Sequence, residues 1–282
     1  MGDLKEEVEK VFEKLEKERS KRVVLAVEEG SCAWGLDSPQ SDHDIRFIYL
    51  SDLPYYLSIE RHRQRDSLLF EEKNMDFSGW DLRKALQLCR DSNPGLLDWL
   101  RSAKVLRKEE ALISDLLSLA IKNHCPKALA FHWLNTAEKH DKLFFGERKQ
   151  VILKKYFYVV RPLLCIEFVR LRHLEGDFST LPPMILKDLV HSLPKECFLT
   201  VEAKESLLEL IERKTKGNLG LGERIEALDV WISKSWSFYG EFCKKMEKKV
   251  REKQFFREFD VFFQKVVHQY LLPKNSKMIK FF

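Results

Sequence analysis

The chain has 282 residues, 44% of them hydrophobic and 33% charged, with a net charge of +5. That is enough apolar material for one large domain or two modest ones, each with its own core. No apolar stretch approaches the roughly 18 residues that a membrane helix needs, and the acidic, amphipathic start Met1-Gly2-Asp3-Leu4-Lys5-Glu6-Glu7 lacks both the basic opening and the apolar run of a secretory signal.

In chain order, residues 3–20 predict a helix. Asp3 is placed to cap it, and Leu4, Val8, Val11, Phe12 and Leu15 fall on one face. The β-branched run Arg22-Val23-Val24-Leu25-Ala26-Val27-Glu28 reads as a strand that ends at Gly30-Ser31. Residues 44–50 read as a second strand and residues 68–77 as a third. Ser78-Gly79-Trp80-Asp81 then opens a helix, with Ser78 and Asp81 resembling a capping box in which Asp replaces the usual Glu. Asn93-Pro94-Gly95 breaks the chain. From Glu109 onward, long segments with helical periodicity are separated by Cys125-Pro126, Phe145-Gly146, Leu181-Pro182-Pro183 and residues 217–222. No strand is expected after about residue 110. The predicted architecture is α+β: a small mixed β-sheet domain with flanking helices over residues 1–110, then an all-helical domain over residues 111–282.

The six cysteines (Cys32, Cys89, Cys125, Cys165, Cys197 and Cys243) are scattered, with no Cys-x-x-Cys pair. That argues against a disulfide framework or a zinc site and points to reduced thiols in a cytoplasm. Residues 244–257 carry Lys244, Lys245, Lys248, Lys249, Arg251, Lys253 and Arg257 against Glu247 and Glu252, an excess equal to that of the whole chain. Such a segment suits nucleic-acid phosphates or a solvated helix face.

The chemistry concentrates in Gly30-Ser31-Cys32-Ala33-Trp34-Gly35 and Ser41-Asp42-His43-Asp44. Side chains alternate along a strand, so Asp42 and Asp44 point the same way and His43 points away from them. Two carboxylates on one side repel each other unless a cation or proton lies between them. Hard oxygen ligands suit Mg²⁺, which is held by few carboxylates together with substrate phosphates. A Gly-Ser turn between two strands lets backbone N–H groups approach phosphate oxygens, with the Ser31 hydroxyl as a further donor. Metal site and phosphate binder then share one cavity, an arrangement that suits nucleotidyl transfer.

Gly-Ser, then Gly, then Ser-Asp-x-Asp resembles the signature of the polymerase-β nucleotidyltransferase superfamily. Further segments sharpen the likeness: Ser41 to Tyr49, Asp76-Phe77-Ser78-Gly79-Trp80-Asp81-Leu82-Arg83-Lys84-Ala85-Leu86, Asn93-Pro94 to Asp98-Trp99-Leu100, and Lys154-Lys155-Tyr156-Phe157-Tyr158-Val159-Val160-Arg161-Pro162. These are similar to the bacterial and phage RNA-repair-associated nucleotidyltransferases, over roughly residues 20–235. The resemblance implies a small mixed sheet flanked by helices and a third metal-binding carboxylate on a neighbouring strand. Asp76 and Asp81 are the candidates. Asp76 is preferred because helix capping already accounts for Asp81, and Glu71 and Glu72 are remote alternatives.

Lys154, Tyr158 and Arg161, spaced i, i+4, i+7, share one helix face. That face is either a grip for a triphosphate or an exposed surface with snorkelling stems, and the resemblance favours the grip. Arg46 shares a strand face with Asp44 and is expected to contact either phosphate or a carboxylate. Trp34 is expected to pack beneath the turn. His124, His132 and His140 do not converge on a helix, and Phe255, Phe256, Phe259, Phe262 and Phe263 suggest the buried stripe of a final helix.

The expected enzyme moves an NMP from an NTP, ATP foremost, to a hydroxyl at an RNA 3′ end, with Mg²⁺ or Mn²⁺ held by Asp42, Asp44 and Asp76. Gly30, Ser31, Arg46, Lys154, Tyr158 and Arg161 would serve the nucleotide, in a cleft between the two parts. RNA-repair proteins are the expected company. A protein or small-molecule acceptor, and a binding protein with a vestigial site, are the competing expectations.

Overall fold

The computed structural model describes residues 2–38, 42–59, 66–217, 219–247 and 253–272. Ser41 of the aspartate motif, and Lys248, Lys249, Arg251 and Glu252 of the basic segment, lie outside the described residues.

The chain opens with α1 (Gly2–Arg19), β1 (Arg22–Glu28), β2 (His43–Leu50) and the short α2 (Leu53–Leu57). There follow β3 (Ser67–Glu72), β4 (Met75–Asp81), α3 (Leu82–Arg90), α4 (Pro94–Arg101) and β5 (Val105–Lys108). The remainder comprises α5 (Glu110–Asn123), α6 (Pro126–Phe144), β6 (Gln150–Ile152), a 3₁₀ turn (Leu153–Lys155), α7 (Tyr156–Leu174), α8 (Leu186–Ser192) and α9 (Val201–Lys216). It closes with β7 (Leu221–Glu223), α10 (Glu226–Lys245) and α11 (Lys253–Leu271).

Three expectations need correction. The single strand expected over residues 68–77 is a hairpin, β3 and β4, turned by Lys73 and Asn74 at φ 53° and 60°. Asn tolerates the left-handed region but Lys does not advertise it, so no glycine signal marks this turn. Ser78 therefore lies inside β4, and Asp81 itself is the N-cap of α3, accepting the Arg83 N–H at 2.9 Å. Finally, the helical half contains the ribbon β6–β7, whose strands are 3 residues each, too short to display a two-residue period.

The five-stranded sheet has the order β3-β4-β2-β1-β5. It is mixed: β2 and β4 run parallel, and the other neighbours antiparallel. β1 is buried at every residue after Arg22, as suits an interior strand covered on both faces. On one face, Phe47, Tyr49 and Phe77 pack with Phe12 of α1 into the smaller core. The Phe12 ring lies 5.2 Å from Phe47 and 5.8 Å from Phe77. Ile48 and Leu50 point the other way, into a larger core that continues through α3 to α7, α10 and α11. By alternation, Asp44 and Arg46 share the face of Ile48 and Leu50, so the sheet presents them toward the helical half.

All six cysteines are free thiols. Among the described residues, no helix is long and apolar enough to cross a membrane. Phe255 and Phe259 of α11 are buried as the stripe predicted, whereas Phe256 is 45% exposed.

Candidate active site

The parallel pairing of β2 with β4 sets Asp44 directly opposite Asp76. Neighbouring strands lie about 4.8 Å apart, so two register partners carry their side chains close together on one face. Asp42 precedes β2 and is exposed. Asp81, at the other end of β4, is fully buried. It accepts the Ser51 hydroxyl at 2.6 Å and the Tyr56 hydroxyl at 3.1 Å, besides its capping bond to Arg83. Burial raises its pKa above the ordinary carboxylate value, against the lowering effect of these donors.

Arg46 lies among the carboxylates. Its Nη2 is 3.0 Å from Asp44 Oδ1 and 3.7 Å from Asp76 Oδ2, while its Nε donates to Glu29 Oε2 at 3.1 Å. Glu29, the last residue before the glycine turn, keeps 22% of its side chain exposed. Its carboxyl is nevertheless deep enough that burial pushes its pKa up to about 7, in spite of Arg46 and a hydrogen bond donated by the Trp99 indole.

The turn itself is held by Leu36 N–H donating to Ser31 O at 2.8 Å and Gly35 N–H to Cys32 O at 3.2 Å. Gly30 adopts φ +69°, and a Cβ there would stand 2.6 Å from Asp44 Oδ2. The absent side chain thus does two things at once: it permits the left-handed backbone and it lets the turn lie against the Asp44 carboxylate. Trp34 packs beneath the turn, 5.4 Å from the Tyr158 ring and with the Arg161 guanidinium 4.8 Å from its centroid. Leu186 N–H, at the start of α8, donates to Trp34 O at 3.0 Å and fastens the turn to the helical half.

The three residues expected on one helix face separate. α7 begins at Tyr156, so Lys154 sits on the preceding 3₁₀ turn. Tyr158 is half-buried, and its pKa is raised first by burial and then by the charges of Asp44 and Glu29, which places its hydroxyl in the field of the carboxylates. Arg161 is buried, paired with Asp98 at 3.0 Å, and its guanidinium lies over Trp34. It therefore supports the turn from below. The Lys155 ammonium, which the spacing turned away from this face, lies 4.9 Å from the Tyr158 ring.

Sequence reasoning missed Lys214. It lies near the end of α9, is 4% exposed, and donates to Ser38 Oγ at 3.0 Å. Its pKa is lowered first by burial and then by the charge of Lys154, with Cys32, Asp37 and Asp42 acting the other way. Lys214 of the helical half thus reaches the far end of the turn that starts at Gly30, with the Lys154 charge near enough to act on it. Locally, Lys214 is one of several cations in the last turn of a helix, where cations are ordinary.

His43, as expected, points elsewhere: its Nδ1 meets Glu28 Oε1 at 2.5 Å. The same oxygen accepts the Cys32 thiol at 3.4 Å, and burial followed by the Glu28 charge pushes that thiol up to about 12.

Among the described residues, no three His, Cys, Asp or Glu side chains close on one point as a finished metal cage. The donor chemistry nevertheless fits a hard divalent ion. Asp44 and Asp76 are register partners on one face, the Gly30 backbone lies against Asp44 with no side chain of its own, and a cation, the Arg46 guanidinium, already bridges toward both.

Residues 4–281 match the family model RlaP, described as the RNA repair pathway DNA polymerase beta family. The uncharacterized protein YcgL of Bacillus subtilis (strain 168) is 35% identical over 252 residues, which cover 87% of this chain and 91% of that protein. Among solved structures, a nucleotidyltransferase-like protein from Exiguobacterium sibiricum 255-15 aligns with 98% of this chain and 97% of its own, at 12% identity and a TM-score of 0.31, a likeness too slight to argue from. The family match spans nearly the whole chain and turns the resemblance of the motifs into membership: the protein belongs to the RNA repair pathway DNA polymerase beta family and is a nucleotidyltransferase.

Proposed function

We propose that the enzyme moves a nucleoside monophosphate from an NTP, ATP foremost, to a hydroxyl at an RNA 3′ end, with Mg²⁺ or Mn²⁺ as cofactor. The observation that carries this reading is the register pair Asp44 and Asp76, set on one face against a turn whose Gly30 leaves no side chain between them and a phosphate. The RNA acceptor is supported by the RNA repair pathway in the family description and by the cations of residues 244–257. RNA-repair proteins are the corresponding partners.

In this mechanism Asp42 and Asp44 would hold a nucleotide-side metal, and Asp76 would join them in holding a catalytic one. When bound there, such metals would supply Lewis-acid activation of the attacking hydroxyl and charge neutralisation on the leaving pyrophosphate. The acceptor oxygen forms a bond to the α-phosphorus as the α–β anhydride bond breaks, pyrophosphate leaves with the bonding electron pair, and the hydroxyl proton passes to water. Gly30 and Ser31 lie along the triphosphate, whose distal phosphates run toward Lys154 and Lys214 at the Ser38 end of the turn. Tyr158 forms a wall over the carboxylates, and Arg161 holds Trp34 and so fixes the turn. Residues 1–110 contribute the carboxylates and the turn, and residues 111–282 the cations that complete the cleft.

The test is to incubate the protein with Mg²⁺ or Mn²⁺, each labelled NTP in turn, and a mixture of RNA, protein and small-molecule acceptors. Expected are pyrophosphate release and label on RNA, both lost in Asp42→Asn/Asp44→Asn. Label on protein or a small molecule would overturn the acceptor. No release with any acceptor would overturn the enzyme mechanism in favour of a binding protein.

A further inference from the structure

Arg46 stands where nucleotidyl transfer needs a metal. Two residues beyond Asp44 on β2, its guanidinium reaches Asp44 Oδ1 at 3.0 Å and Asp76 Oδ2 at 3.7 Å through the same nitrogen, Nη2. Its side chain is 18% exposed against 31% for Asp44 and 53% for Asp76, so the guanidinium is held within the fold while the carboxylates keep an open side. A divalent ion and a guanidinium cannot both lie between the same two carboxylates. They repel each other and compete for the same oxygen lone pairs.

The opposite edge of the guanidinium has a different partner. Nε donates to Glu29 Oε2 at 3.1 Å, and Glu29 is outside the register pair and held in place by the Trp99 indole. Arg46 therefore has an anchor that survives when Nη2 leaves Asp44 and Asp76. The phosphates of an incoming nucleotide, lying along the turn beside Asp44, offer the released nitrogen a new anionic partner in the forked geometry that guanidinium groups favour.

We propose that Arg46 is a positioning residue that competes with divalent cations for Asp44 and Asp76, so that the site binds free metal weakly and accepts it with the nucleotide. This inference rests on the metal- and nucleotide-dependent function proposed above. An opposite charge beside a carboxylate changes its affinity for a proton by roughly ten- to a thousandfold, and a divalent cation seeks the same oxygens.

The test measures Mn²⁺ binding to the full chain by the loss of the free-ion electron paramagnetic resonance signal, with and without α,β-methylene-ATP. Arg46→Met is expected to bind Mn²⁺ alone about tenfold or more tightly than the wild type. Arg46→Lys keeps a charge that is too short and too compact to reach Glu29 and both aspartates together, and is expected to fall between them. The gain in Mn²⁺ affinity on adding the nucleotide analogue should be largest in the wild type and smallest in Arg46→Met. A merely structural ion pair gives the opposite result, because its loss disorders the carboxylates and weakens Mn²⁺ binding. Either variant binding Mn²⁺ alone no more tightly than the wild type overturns the proposal. A wild-type protein that binds no Mn²⁺ even with the analogue overturns the metal-dependent function itself, an outcome distinct from the first.

Discussion

Asp76 and Asp81 occupy one strand of 7 residues, yet the two ends of β4 treat a carboxylate in opposite ways. At the Asp81 end the protein closes around the group: it is fully buried, it receives the Ser51 and Tyr56 hydroxyls, and it caps α3. At the Asp76 end the side chain is 53% exposed, its register partner is another aspartate, and the near cation is Arg46 at 3.7 Å. A carboxylate supplied with donors is part of the fold. A carboxylate placed opposite its like, with one shared cation, is poised to take a ligand.

The sharpest way to break this comparison is to remove the charge at the exposed end. Asp76→Asn should lower nucleotidyl transfer by roughly a thousandfold or more, while the thermal midpoint stays level or rises because like-charge repulsion is relieved. A matching loss of stability would make Asp76 structural. Asp81→Ala should do the reverse. It strips a helix cap and leaves buried donors without an acceptor, at a cost of about 3 kcal/mol in denaturant unfolding. Activity per folded molecule should persist, and its disappearance would show that Asp81 reaches the chemistry.

A smaller effect is expected from the lysine at the far end of the glycine turn. Lys214→Met should weaken ATP binding about tenfold, roughly 1.4 kcal/mol, and leave AMP binding nearly unchanged, as the proposed placement of the distal phosphates beside the lysine requires. Equal losses for ATP and AMP, read by calorimetry, would argue that the substitution merely loosens Ser38.

The finest distinction is a pH slope. Burial raises the folded-state pKa of Asp81, so the folded chain holds that proton more tightly than the unfolded one. The resulting stabilisation is present at acid pH and is lost as the pH rises through the folded pKa. The stability difference between wild type and Asp81→Asn should therefore move in favour of the variant as the pH rises above the ordinary aspartate range, about pH 4. A pH-independent difference would mean that the donors around Asp81 fully offset its burial.

Much of this contrast was legible in the sequence. β1 and β2 announce themselves by β-branched and aromatic runs, and the aspartate motif stands at the start of β2. The β3–β4 turn was not legible, because Lys73 and Asn74 adopt positive φ without a glycine to signal it. Without that turn β4 cannot be told from β3, and the parallel pairing of β4 with β2 is a long-range contact, so the sequence alone could prefer Asp76 but could not set it opposite Asp44. Helical spacing grouped Arg161 with Tyr158, but the partner that buries it, Asp98, lies 63 residues earlier in the chain. Lys214 has no local signature at all. Only the approach of α9 to Ser38, across 176 residues, marks it.

The fastening of the glycine turn has a consequence for biosynthesis. Its backbone is pinned by Leu186, its tryptophan is wedged by Tyr158 and Arg161, and its far end is tied to Lys214. Every one of these partners is made more than a hundred residues after the turn. Such distant contacts are slow to form and cannot form before the later chain exists. A nascent chain whose sheet has just left the ribosome therefore carries Asp44 and Asp76 beside a turn without support, and the turn gains its last fastening only when α9 is made.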